Sequence, residues 1–160
     1  MLMIEENNQY EQLMRILDQV LAKVESLHSP FHDFGTGVPI YRNEIHTIQD
    51  IGIHPRINLK TLAEHMGVTK GAASQTITKL VRKGMVRKTR AKGNAKEVFL
   101  ELTDLGWIGF RNHEKFHMEM FNIARSYFGN KMGPKIEMFR TVMTEFNEIL
   151  GEYKKRENTT

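Results

Sequence analysis

His113-Glu114-Lys115-Phe116-His117 places two histidines four residues apart with a glutamate beside the first. On a helix that spacing puts both imidazoles on one face, where they converge on one ion. It is also the HExxH pattern in which zinc binds the two histidines and the glutamate acts as base. A peptidase needs a third ligand, an open coordination position and a cleft. The chain contains no cysteine, so disulfides, thiolate nucleophiles and thiol redox sensing are excluded, and any metal must be held by His, Asp or Glu.

A second stretch, LAEHMGVTKGAASQTITKLVRKG from Leu62 to Gly84, carries Gly71-Ala72-Ala73-Ser74 inside a segment of helical apolar spacing. Glycine within a helix costs about 1 kcal/mol relative to alanine, so a bare backbone there needs a reason. Ala73, Thr76, Ile77, Leu80 and Val81 fall on one face at 100° per residue, and Gly71, Gln75, Thr78 and Arg82 lie opposite, flanked by Ala72, Ser74 and Lys79. One reading is that the small residues let another helix pack closely. The other is that this is the second helix of a helix-turn-helix, whose bare start lets the backbone approach base edges in a major groove. Leu62, Ala63, Met66 and Val68 pack the joint around Gly67, Thr69 caps the helix, and Lys70 beside its first amides favours a phosphate.

Charge favours the second reading. From Lys60 to Glu97 ten basic residues stand against two acidic ones, a net of +8, which leaves −4 for the rest of a chain whose total is +4. Such concentration is the footprint of a phosphate-backbone partner, although a solvated lysine-rich face or a surface for an acidic partner protein has the same composition. The hairpin VRKTRAKGNAKEVFLELT follows directly. Arg90 and Lys92 at its tip suit a minor groove, and Arg87, Lys88 and Lys96 suit phosphates.

The elements that position these residues are legible from apolar spacing. Helices are expected over about 5–27, 41–51, 59–66, 69–83, 103–128 and from Pro134 onward, with strands at 85–89 and 98–102 and the turn between them at 90–96. The fold class is therefore mainly α: a winged helix-turn-helix lobe at 56–102 between helical regions 1–55 and 103–155, whose broad apolar faces suit burial against each other or a second copy. No run approaches the ~18 apolar residues of a membrane span, and the acidic start lacks a signal-peptide core, so a cytoplasmic protein without a membrane partner is expected.

LKTLAEHMGVTKGAASQTITKLVRKGMVRKTRAKGNAKEVFLELTDLG resembles the winged helix-turn-helix core of the MarR family of transcriptional regulators, and the element order on both sides extends the resemblance over most of the chain. The resemblance implies an obligate homodimer built through its N- and C-terminal helices. It also implies a double-stranded operator as partner and, in many members, repression relieved by a small ligand. One departure is Asn94-Ala95-Lys96, where the family commonly has an aspartate that braces the wing arginine; this weakens the minor-groove assignment of Arg90. The DNA-contacting set is Thr69, Lys70, Gly71, Ala72, Ser74, Gln75, Thr78, Lys79, Arg82, Arg87, Lys88, Arg90, Lys92 and Lys96. Similarity to the zinc-sensing members implies Zn2+ as effector at His46, His113 and His117, with His28, Glu25 or Glu44 completing the shell. The alternatives are an organic acid or phenolic effector among Phe31, Phe34, Tyr41 and Trp107, and ordinary polar histidines. No catalytic residue and no cofactor beyond such a zinc ion is expected.

Overall fold

The computed structural model describes residues 2–27, 32–91 and 94–157. The chain runs α1 (Leu2–Ser26), α2 (Arg42–Ile53), α3 (Leu59–His65), α4 (Lys70–Arg82), β1 (Val86–Ala91), β2 (Asn94–Leu102), α5 (Asp104–Phe128), a 3-10 turn at Gly129–Lys131, and α6 (Met132–Glu157). It forms two compact units, Met1–Glu114 and Lys115–Thr160, divided within α5.

In the first unit the core gathers around α2, whose Ile45, Ile48 and Ile51 recur at three-residue steps and are fully or nearly fully buried. Against them pack Leu62 of α3, Ile77 and Leu80 of α4, Met85, and Leu100 and Leu102 of β2. Each helix of the central lobe is capped by its own sequence. Asn58 Oδ1 accepts from the Lys60 and Thr61 amides at 2.9 and 3.0 Å, starting α3. Thr69 Oγ1 accepts from the Ala72 amide at 3.2 Å, starting α4. Gly67 and Gly84, at φ +63° and +73°, supply the left-handed residues that turn the chain out of α3 and α4.

The hairpin pairs Val86 with Leu102, Arg87 with Glu101, Lys88 with Leu100, Thr89 with Phe99 and Arg90 with Val98. Its register shifts after Arg90, and Ala91 pairs with Asn94. The strands therefore run farther toward the tip than the expected turn at 90–96 allowed. Residues 57–58 add a short rung on the far side of β2, through the Leu100 amide donating to the Ile57 carbonyl at 2.9 Å.

Two apolar residues sit differently from expectation. Val68 and Val81 are exposed at 41% and 39% rather than packed in the helix-turn-helix. Val81 lies about 80° around α4 from Ala73, at the rim of the apolar face. Met85, expected to open the first strand, is instead fully buried, and its carbonyl accepts from the Thr103 amide at 3.0 Å.

The second unit comprises the C-terminal part of α5 and all of α6. Tyr127 is 83% exposed, and Phe139, Ile149 and Tyr153 of α6 are more than half exposed. No helix of the described residues is long and apolar enough to cross a membrane.

Candidate nucleic-acid interface

α4 divides its small residues between two tasks. Ala73 is fully buried, where a larger side chain has no room, and shares the inner face with Thr76, Ile77 and Leu80. Gly71 and Ala72 point the other way and are exposed. A Cβ added at Gly71 would meet, among the described residues, only Thr69 Oγ1 at 3.8 Å, an ordinary contact. Among the described residues, no packing contact asks for glycine at that position.

Around Gly71 the exposed side chains are Thr69, Lys70, Gln75, Thr78, Lys79 and Arg82, with Ser74 half-buried. This face contains donors, acceptors and three cations but no apolar bulk. The Thr78 hydroxyl donates back to the Ser74 carbonyl at 2.8 Å, leaving Gln75 as the longest uncharged reader on the helix.

The basic residues of the lobe are not equivalent. Lys83, at the end of α4, turns inward: its ammonium donates to Glu44 Oε2 at 2.5 Å and to the Pro39 carbonyl at 2.7 Å. Glu44 is buried at 1% exposure, and the same oxygen accepts from the Tyr41 amide at 2.9 Å, capping α2. This pair bolts the end of α4 to α2.

Arg87 is also engaged, donating from Nε to Glu101 Oε2 at 3.0 Å, while Thr89 Oγ1 donates to Glu101 Oε1 at 3.0 Å. The Thr89 hydrogen bond, and after it that from Arg87, holds the Glu101 carboxyl below its ordinary range. Lys88 and Arg90 are exposed along β1. Lys92 and the side chain of Lys96 lie outside the described residues. Arg56, which sequence reasoning missed, stacks its guanidinium over Phe99 at 4.5 Å and adds a cation to the base of the hairpin. Its φ of +63° places it in a tight turn after α2, and apolar periodicity carries no signal for such a residue.

The expected metal ligands are distributed unevenly. His46 and His113 come together, their rings edge-on at 5.4 Å, with His113 fully buried and also edge-on to Phe34 at 5.4 Å. Two imidazoles supply half of a tetrahedral zinc shell. Glu44 is held by Lys83 and lies two residues from His46, about 200° around the same helix. Glu25 and Glu114 are exposed, His117 is exposed in the second unit, and His28 lies outside the described residues. Among the described residues, the three metal-binding side chains whose ligand atoms all lie within 4.8 Å of one another are Asp50, His54 and His65. The sequence reading missed all three: the four-residue spacing of Asp50 and His54 is a local signal, but joining His65 to them requires the packing of α3 against α2.

The residues proposed for an organic effector are also scattered. Phe34 packs on His113, Tyr41 is exposed, and Phe31 lies outside the described residues. Trp107 lines a cavity of about 220 Å3 together with Arg56, Arg87 and Glu101.

Residues 40–98 match the model of the MarR family. Among curated proteins, the HTH-type transcriptional regulator YhjH of Bacillus subtilis (strain 168), described as uncharacterized, is 27% identical over 149 residues, covering 90% of this chain and 82% of the relative. The structure of Streptococcus pneumoniae FabT in complex with DNA superposes with a TM-score of 0.76 at 24% identity, over 88% of this chain and 99% of that one. A zinc-responsive MarR family member, Lactococcus lactis ZitR, superposes with a TM-score of 0.59 at 16% identity, over 83% and 97% of the two chains. The matched model is that of the MarR family and YhjH is described as an HTH-type transcriptional regulator, so the peptidase reading of HEKFH is set aside.

Proposed function

We propose that this chain is a winged helix-turn-helix regulator of the MarR family, whose model matches residues 40–98, and that it acts as a homodimeric repressor that binds a double-stranded operator under the control of an effector. The observation that carries the DNA-binding role is the outward face of α4, where Gly71 is exposed amid Lys70, Gln75, Lys79 and Arg82. A helix presenting that face enters a major groove with its backbone close to the base edges. Thr69, Lys70, Ala72, Ser74, Thr78 and Arg82 complete the contact, and Lys88, Arg90, Lys92 and Lys96 of the wing reach the adjoining backbone and minor groove. Arg87 joins them at the expense of its pairing with Glu101. Residues 56–102 form the DNA-binding lobe, and the helical regions 1–55 and 103–155 form the dimer.

The effector reading with a specific observation behind it is zinc, through the apposed His46 and His113. His117, one helical turn on, and a carboxylate from Glu25 or Glu44 or the imidazole of His28 complete the shell; for Glu44 this requires release of Lys83. Zinc controls affinity only as far as it binds the DNA-competent and DNA-free conformations unequally.

The test is fluorescence anisotropy of labelled duplexes carrying a selected operator, with and without chelator. Gln75→Ala is expected to change the order of preference among operator variants, and Lys88→Ala to weaken all duplexes alike. His113→Ala is expected to remove the chelator effect. Duplex binding indifferent to Gln75 and Lys88 removes the DNA-binding assignment, and a chelator effect that survives His113→Ala moves the effector elsewhere.

A further inference from the structure

We propose a second, separate metal site: a divalent transition-metal ion of the zinc, nickel or cobalt type held by Asp50, His54 and His65, fastening the end of α2 to the end of α3. All three residues belong to the first unit, and none is among the ligands suggested for the effector.

The geometry is close to that of a coordination shell. Asp50 Oδ1 lies 3.8 Å from His54 Nε2 and 3.5 Å from His65 Nδ1. Ligands about 2.0–2.1 Å from a tetrahedral zinc stand about 3.4 Å apart, so the pocket closes onto an ion by small side-chain rotations. The residues are partly exposed, at 22% for the Asp50 side chain and 41% and 39% for the two histidines, which leaves a path for the ion and room for a water in the fourth position.

Two further features favour a divalent cation at this point. First, His54 is the C-terminal cap of α2 and His65 lies in the last turn of α3, so the negative ends of two helices meet there. Second, the rings stand edge-to-face with centroids 4.7 Å apart. Both imidazoles face the same Asp50 oxygen, so one divalent ion takes a ligand atom from each ring and from the carboxylate together. Imidazole with one carboxylate suits zinc, nickel and cobalt better than magnesium or calcium, which prefer oxygen.

The consequence lies in the helix-turn-helix itself. His65 immediately precedes Met66 and Gly67, where the chain turns toward α4. An ion bridging it to α2 braces that turn, as the Glu44–Lys83 pair ties the end of α4 to α2.

The full-length, chelator-treated protein is titrated with Zn2+ by calorimetry and with Co2+ by visible absorption, alongside His54→Gln, His65→Gln and His113→Ala. Zinc-soaked crystals of the unsubstituted chain are measured at the zinc edge. The proposal expects one equivalent per chain that His54→Gln and His65→Gln weaken at least tenfold and that His113→Ala retains, together with an anomalous peak bonded to Asp50, His54 and His65. Zinc binding unaffected by either glutamine substitution, or crystals without a peak at these residues, overturns it. The crystal arm needs no variant to fold, and neither arm depends on DNA binding.

Discussion

At the scale of single residues, Gly71 separates what the chain needs for itself from what it offers outward. A Cβ there meets only Thr69 Oγ1 in ordinary contact, so Gly71→Ala is expected to stabilise α4 by up to about 1 kcal/mol, as measured by urea unfolding. Gly71→Leu is expected to leave the fold intact and lower operator affinity at least tenfold in anisotropy titrations. Unchanged affinity for the leucine variant would show that the bare backbone has no outside partner. Glu44 and Lys83 pose the opposite case, because their side chains are 1% and 21% exposed. Lys83→Met leaves a carboxylate buried without its cation and is expected to cost about 3–5 kcal/mol in unfolding free energy. Glu101 introduces a pH dependence of known sign. Its folded pKa is lowered, chiefly by the hydrogen bond from Thr89, so its contribution is fully present above the ordinary carboxyl range and is lost as pH falls through the folded value. Thr89→Val is expected to flatten the acid limb of a stability-against-pH curve, and an unchanged limb in that variant would contradict the assignment.

At the scale of elements, α4 is held in place by its exits as much as by its core face. The Met85 amide donates to the Leu80 carbonyl at 2.9 Å behind Gly84, and the Thr103 hydroxyl donates to the Gly84 carbonyl at 2.6 Å while accepting from the Gly106 amide at 3.2 Å. One threonine thus joins the end of α4 to the start of α5. Gly106 completes the joint, since a Cβ there would fall 2.2 Å from the Met85 carbonyl oxygen, an atom that backbone packing holds in place. Gly106→Ala is therefore expected to lower the melting temperature by several degrees even though alanine is the better helix former. A melting temperature equal to or above that of the parent would contradict the close approach.

The elements were also the most legible part of the sequence. The isoleucine spacing of α2, the caps at Asn58 and Thr69 and the stop at Gly84 all depend on local backbone chemistry, and local chemistry is written in short windows. Features set by tertiary packing were not legible. The pairing of Lys83 with Glu44, the stack of Arg56 on Phe99 and the meeting of His65 with Asp50 each join residues many positions apart, with no periodicity to announce them. In the same way, Glu44 looked like a metal ligand because its residue type fits, but the partner that occupies it lies 39 residues away.

At the scale of the whole molecule, the exposed apolar side chains of the terminal helices are the largest unexplained expense of the monomer. Leu13, Ile16 and Leu21 of α1 are more than half exposed, as are Phe139, Ile149 and Leu150 of α6, and Ile136 is half exposed. Scattered apolar residues are normal on a surface, but stripes repeating at three and four residues along long helices indicate a face to be covered. A second copy of the chain is the proposed cover. Phe139→Glu with Ile149→Glu is then expected to shift sedimentation from dimer to monomer and to reduce operator affinity by orders of magnitude; a dimer that persists would place the interface elsewhere. A two-fold dimer presents two copies of α4 to one face of DNA, and its half-sites must match that symmetry. The most direct measurement is selection of binding sites from a random duplex pool by the purified full-length protein, followed by affinity measurements across a salt series. The account predicts enrichment of a pseudo-palindrome with half-site centres about one DNA turn, ~10 bp, apart, bound by one dimer with affinity falling steeply as salt rises. A pool that returns no common sequence, or duplex binding independent of salt, would contradict it.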